Sequence, residues 1–498
     1  MAKYRRTDAA AGQGIFLDVN LKGQLLPYTF EYMLDTLIGR EISTEIFDKK
    51  YKNDTTGASA VPPSVLLKLI IYGYSKGYIS SRGLYELNNN NIVAKALTRD
   101  MDIHWTTIAS FISKNGEAFE EIFIEVLFIC NELGLIGGET FGVDGLRLPS
   151  NASLEKSGTK EQLEKRLEMY KRMAEKHVER HKRKDGLGEA DQKKEELFAG
   201  RQKDLRNQIT GLSNFLKEMK SKEGKSGQEI KSNATDNESA MIKTKEGFIQ
   251  GYIGLGISDE KKQIITSAKA VGTSNEGEHL PALLDKNREN LKEAGVKELE
   301  EGKTPLVLGD ANYFSEDNLK ACEERGIEAV ITDGREHHSN KKAIDEFKYN
   351  EEGDYYECPE GKRLSYKKSD GLKDGETKVY QAGLADCREC QSFSSCSKSK
   401  KEQSEIRQGK KIMVRESTGE GNRCEQMREK LKTEKYQEKY SRRIQIIEPV
   451  FANVKYCKGM NRFTLRGEGK VNGQWKLYCI VHNLGKCRNE LETRRDAA

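Results

Sequence analysis

Residues 306–317 read LVLGDANYFSED. Three apolar residues and a glycine lead to Asp310, and Ser315, Glu316 and Asp317 then carry the marks of a helix start. A buried strand that stops on a carboxylate poses a choice. Asp310 either caps a turn, or stands at the carboxyl end of a core strand where a metal ion can use its oxygens. One aspartate does not decide, so its partners must be sought along the rest of the chain.

The chain has 498 residues, which suggests two to four domains. Basic and acidic side chains nearly balance, 84 against 79. Any nucleic-acid surface must therefore come from local clustering of Lys and Arg. The opening MAKYRRTDAA has no apolar run behind it, which argues against a secretory signal. The most apolar stretch, residues 118–138, carries Glu120, Glu121, Glu125 and Glu132 and reads as an amphipathic or buried helix. A soluble, cytoplasmic protein without a membrane partner is expected, with its ten cysteines reduced.

Residues 1–135 read as helical. VPPSVLLKLIIYGYSKGY places Val65, Leu66, Leu69, Ile70 and Tyr72 at helical spacing, and Ser80 or Ser81 caps the next helix. Short capped helices of this kind suit either helix-turn-helix DNA binding or a plain bundle. FGVDGLRLPSNAS then reads as a strand, or as a hairpin with Asp144-Gly145 at its turn. Residues 155–232 change texture. Leu163, Leu167, Tyr170 and Ala174, then Leu205, Ile209, Leu212, Leu216 and Met219, predict two long helices folding back across the break KRKDGLGEAD. The basic run HVERHKRK is a solvated helix face or a phosphate contact. From residue 140 onward the expected order is three strands, helix, strand, helix, strand, with the helical hairpin inserted after the first strand. That makes an α/β domain with a mixed sheet, Asp144 and Asp310 lying at or near strand ends.

Paired strands lie about 4.8 Å apart. Two aspartates on neighbouring strand ends can therefore share divalent ions, and ions roughly 3.5–4 Å apart suit in-line attack on phosphate. Hard Mg²⁺ or Mn²⁺ accepts two or three carboxylates. The third acid is sought in YSRRIQIIEPVFANVKY, where Ile444, Ile447, Phe451 and Val454 form an apolar face. Pro449 is tolerated best in a first helical turn, so Glu448 belongs near a helix start, with Lys455 about two turns along.

The whole arrangement resembles the DDE transposases of bacterial insertion sequences. The resemblance spans nearly the entire chain, from PPSVLLKLIIYGYSKGYISSRGLYEL through FGVDGLRLPSNAS, TKEGFIQGYIG, LVLGDANYFSEDNLKAC and IIEPVFANVKY to RFTLRGEGKV. It implies an α/β, RNase H-like catalytic core over residues 136–498, a helical DNA-binding domain over 1–135, and insertions at 155–232 (helical hairpin) and 345–430 (cysteine-rich). Asp144, Asp310 and Glu448 correspond to the catalytic, metal-holding acids. Tyr440, Arg443 and Lys455 correspond to the DNA-contacting members of the Tyr-Arg-Glu-Lys signature. The best-known signature has three residues between Arg and Glu and this chain has four, which makes Arg442 a substitute for Arg443. The implied activity is Mg²⁺- or Mn²⁺-dependent cleavage and strand transfer on double-stranded DNA by a homo-oligomer. A non-cutting DNA-binding derivative and a nuclease without strand transfer are the rival readings.

The cysteines form a separate motif. Cys358 and the cluster Cys387, Cys390 and Cys396 offer one Cys-x-x-Cys pair and two outlying thiols, enough for a tetrahedral structural zinc. Ordinary reduced thiols are the alternative, and Cys424, Cys457, Cys479 or Cys487 could replace a ligand. His279 is assigned to helix-start packing.

Overall fold

The structure is a computed structural model and describes residues 20–51, 59–185, 192–224, 227–297, 299–300, 302–334, 346–372, 375–396, 402–415 and 423–497. The expected MAKYRRTDAA opening and most of the expected helical break, residues 186–191, lie outside them. Two compact units are present, residues 1–306 with 442–498, and residues 307–441.

The first unit begins with six helices: α1 (Phe30–Leu37), α2 (Pro63–Ser75), α3 (Ser81–Asn90), α4 (Ile92–Thr98), α5 (Trp105–Lys114) and α6 (Ala118–Glu132). Ser80 caps α3 as the sequence predicts, and Thr29 and Asn91 do the same for α1 and α4; each accepts a backbone N–H of the following turn. Pro63 opens α2, where its missing N–H costs nothing. Every residue of α2 from Val65 to Tyr74 is buried, so this helix runs through the core rather than along its surface.

Strands β1 (Thr140–Pro149), β2 (Ala240–Thr244), β3 (Gly247–Asp259) and β4 (Ile265–Val271) follow. β1 runs antiparallel along one edge of β3, while β2 and β4 share the other edge in succession. The expected order lacks β2; its five residues are too short and mixed to stand out. Asp144 lies in the middle of β1, opposite Gly256, so the hairpin alternative is wrong and Asp144 is not a strand end. Gly145 is no turn glycine. A Cβ there would fall 1.9 Å from the Glu276 carboxylate, which needs that space to pair with Arg147 at 2.8 Å.

Two long helices, α7 (Lys160–Asp185) and α8 (Gln192–Glu218), come between β1 and β2, with His177 stacked on Phe198 at 4.4 Å. Of their apolar residues, only Leu163 and Leu212 are buried among the described residues. α9 (Leu280–Glu293) packs on β4.

The helix Glu468–Ala497 closes this unit. Its indole Trp475 donates to the Leu255 carbonyl at 2.9 Å and lies over Gly254, where a Cβ would approach the ring to 2.8 Å. Asn483 and Asn472 each bond both backbone groups of one β4 residue, Ile265 and Ala270, at 2.8–3.0 Å. Side-chain amides thus satisfy a strand edge that would otherwise stay unpaired. The helices of the N-terminal third, the sheet and this last helix share one continuous apolar core.

The second unit contains β5 (Leu306–Gly309, its first residue belonging to the first unit), the helix Glu316–Glu324 and β6 (Glu328–Ile331), neighbours in a sheet as the strand–helix–strand reading predicts. A separate five-stranded antiparallel sheet runs from Lys348 to Arg415 around a small core of Phe347, Leu364, Tyr380, Ala382 and Ile412. Among the described residues no helix is long and apolar enough to cross a membrane.

Candidate active site

The chain from Glu434 to Cys457 forms three pieces: an α-helix to Ile446, a short helix Glu448–Ala452, and a π-turn Asn453–Cys457. Pro449 causes the first break. It has no N–H to give the Gln445 carbonyl, which accepts instead from Gln263 Nε2 at 2.7 Å. Glu448 therefore opens a helix, as the proline predicts. The buried face is Ile446, Ile447, Val450, Phe451 and Val454. Ile444, assigned to that face from the sequence, is 56% exposed, because the face presumes an uninterrupted helix where the chain is broken.

This broken helix lies directly on β1. A Cβ on Gly142 would fall 3.0 Å from Ile446 Cγ2 and 3.2 Å from Ile447 Cβ, so any side chain there would make the helix give way by a few tenths of an ångström. Two residues further along the same face of β1 is Asp144. Its Oδ2 accepts from Arg443 Nη2 at 2.6 Å and its Oδ1 from the Gly145 N–H at 2.7 Å. Opposite Asp144, Gly256 carries no side chain, and the Phe451 ring lies 3.5 Å from the position of its absent Cβ. Arg443 is buried, and its other terminal nitrogen stands 3.8 Å from Glu448 Oε1. One guanidinium thus faces both Asp144 and Glu448.

The expected substitute, Arg442, points elsewhere and forms a two-pronged ion pair with Glu260. The additional residue between Arg443 and Glu448 is accommodated by the break at Ile447; on a continuous helix, positions five apart would lie on well-separated faces. Lys455 is half-buried in the π-turn, its ammonium 5.1 Å above the Tyr456 ring.

Asp310 and Tyr440 belong to the second unit. Asp310 ends β5 and caps the single turn Ala311–Tyr313: Oδ1 accepts the Asn312 backbone N–H and Oδ2 the Asn312 side-chain amide, both at 2.9 Å. Tyr440 is half-buried on the helix Glu434–Ile446.

Two buried aspartates escaped the sequence reading. Asp259 accepts backbone N–H groups of Gly137, Gly138 and Lys261 at 2.8–3.0 Å, and burial still pushes its carboxyl up from the usual range. Asp236 accepts the Tyr252 hydroxyl at 2.9 Å and the Gly467 N–H at 3.2 Å. Both staple loops to the sheet. His279 lies at the start of α9, its pKa lowered by burial and by the charge of Lys269.

In the second unit, Cys358, Cys387, Cys390 and Cys396 line one cavity of 420 Å³. The backbone N–H of Lys362 donates to Cys358 Sγ and that of Lys410 to Cys387 Sγ, each at 3.3 Å. Burial, with the neighbouring thiols, pushes the Cys387 and Cys396 pKa values up. The other cysteines do not line this cavity: Cys479 and Cys487 are buried in the last helix, Cys487 against Cys130 with sulfurs 3.4 Å apart, and Cys457 is exposed. Among the described residues no three His, Cys, Asp or Glu side chains are drawn together closely enough to hold a metal ion.

Two family models match the chain: the Transposase DDE domain over residues 357–488, and the Transposase domain (DUF772) over residues 20–114. The first takes in the four cysteines of the cavity, Glu448 and the first two-thirds of the last helix; the second takes in α1–α5. Comparison with curated proteins and with solved structures gives no match.

Proposed function

We propose that this chain, which matches models of a transposase DDE domain and of a transposase domain, is a DDE transposase of insertion-sequence type with an RNase H-like core that binds the ends of a mobile DNA element, cuts them and joins the freed 3′ ends to target DNA. The observation that carries this reading is the meeting of Asp144 with Glu448 through Arg443, which lies 299 positions from Asp144. In it, residues 1–135 bind DNA and residues 136–498 carry the catalysis, interrupted at 155–232 and 345–430. The protein works as a homo-oligomer on paired ends, in the cytoplasm and on the nucleoid.

Asp144 and Glu448 offer carboxylate oxygens of the kind Mg²⁺ or Mn²⁺ prefers, and Asp310 is the third acid. A divalent ion held by such acids would supply Lewis-acid polarisation of a phosphate and a more acidic nucleophile. The protein's part is positioning. β1 and the broken helix hold Asp144 and Glu448 at fixed points, Arg443 keeps the two carboxylates from repelling each other, and Lys455 offers its ammonium to a backbone phosphate. The four cysteines are the donors a structural zinc takes: four thiols line one cavity and two already accept backbone N–H bonds, as thiolate ligands do, and they would have to draw closer together to hold the ion.

The test is cleavage of DNA bearing the element's own ends, with Mg²⁺ or Mn²⁺, by the intact chain and by Asp144→Ala and Glu448→Gln. Loss of cutting with end binding retained supports the site. Unimpaired cutting by the variants overturns it. Binding without cutting by every form favours a non-cleaving DNA-binding protein, and cutting without joining favours a nuclease.

A further inference from the structure

The first unit holds a second polar cavity, of 460 Å³, that no role above uses. Its wall is formed by the start of α1, the end of α2, the residue after the π-turn, and one face of the last helix. Three lysines line it, Lys76, Lys458 and Lys486.

None of the three forms an ion pair with a carboxylate among the described residues. Lys486 donates to the neutral Gln263 Oε1 at 2.7 Å, and the Lys76 ammonium lies over the Tyr72 ring at 5.5 Å. Lys458 is half-buried beside Gly485, where a Cβ would come within 3.5 Å of its Nζ. Arg488, at the rim, is already neutralised by Glu492 at 2.7 Å. Below them, His482 is fully buried with Nε2 donating to the Gln263 carbonyl at 2.9 Å, and burial keeps it neutral. The one acid of the wall, Glu31, sits in the first turn of α1.

Burial lowers the pKa of Lys458 and of Lys486, and each also feels a second cation, Lys76 and Lys262 respectively. Partly buried ammonium groups without a counter-ion oppose folding. A chain keeps them at that cost where an anion arrives to neutralise them. The N-terminus of α1 adds its partial positive charge to the same wall.

We propose that this cavity binds a phosphate group through Lys76, Lys458 and Lys486, and that the phosphate comes from a DNA backbone. The choice of DNA rests on the function proposed above. Lys458 follows Lys455 by three residues, at the end of the π-turn, so the proposed phosphate contacts lie close together along the chain. Divalent metal plays no part in this interaction.

The test compares the full chain with Lys458→Gln/Lys486→Gln and with Lys458→Arg/Lys486→Arg, without divalent metal. Affinity for duplex DNA is read by fluorescence anisotropy across a salt series, and thermal stability is read with and without inorganic phosphate. The glutamine pair is expected to melt no lower than the parent and to bind DNA at least about tenfold more weakly. Its plot of log affinity against log salt should be flatter by about 0.9 for each phosphate that the variant leaves unneutralised. Inorganic phosphate should raise the parent's melting temperature and not that of the glutamine pair, and the arginine pair should retain both responses. Unchanged affinity and salt slope in the glutamine pair overturn the assignment to DNA, and an equal phosphate shift in parent and glutamine pair overturns the pocket itself. Because binding is read without cutting, a chain that fails to cleave still decides this proposal.

Discussion

Arg443 Nη2 donates to Asp144 Oδ2 at 2.6 Å, joining a helix near the end of the chain to the first strand of the sheet. Both side chains are largely withdrawn from water, 8% and 20% exposed. Breaking such a pair from one side leaves a poorly solvated charge behind. Arg443→Ala is expected to lose about 3 kcal/mol of stability. Urea denaturation measures this, and a loss below about 1 kcal/mol would mean the pair is effectively solvated.

Asp310 separates the two answers to the question its strand poses. As a cap alone, Asp310→Asn keeps an oxygen for the Asn312 N–H and changes stability little, while Asp310→Ala costs about 1 kcal/mol. As a metal-holding acid, Asp310→Asn abolishes cleavage although its melting temperature is that of the parent. Melting and cleavage, measured on the same preparation, tell these apart.

Gly142 sets how closely the broken helix approaches β1. A valine there meets Ile446 and Ile447 and must push the helix away, at about 1–3 kcal/mol. Gly142→Val should lower the melting temperature and cut activity more than its stability loss explains, since Arg443 and Glu448 move with the helix. Activity measured well below the melting transition checks this.

His482 predicts an acid limb in the stability profile. Burial takes its pKa from 6.5 down to about 3, so below pH 6.5 the unfolded chain gains a proton that the folded chain refuses. Stability therefore falls as pH drops from 6.5, by about 2 kcal/mol at pH 5, and stops falling on this account below about 3. His482→Gln keeps a donor for the Gln263 carbonyl and should flatten that limb. Denaturation at several pH values is the measurement, and an unchanged slope would exclude His482 as its source.

The cysteine cavity predicts one zinc per chain by elemental analysis. Chelation should lower the melting temperature, and Cys390→Ser should remove both the metal and the effect of chelator. Thiols whose pKa values are raised must release protons as zinc enters, so uptake should strengthen as pH rises from 6 to 8.

The sequence by itself determined what local chemistry decides. The caps at Ser80 and Ser315, the proline that starts α2, the two long helices, and β5 ending at Asp310 were all legible, because capping, proline geometry and hydrophobic period act over a few residues. Glu448 at a helix start followed from Pro449 alone. What only the tertiary structure decided depends on residues far apart in the chain. Asp144 sits in mid-strand because β3 pairs with it, and Gly145 is required by Glu276. Arg443 rather than Arg442 reaches the acids because Gln263 takes the carbonyl that Pro449 leaves open and Gly142 lets the helix descend onto β1. The lysines around His482 were invisible for the same reason: positions 76, 458 and 486 share no period, and a cavity exists only once the last helix has packed.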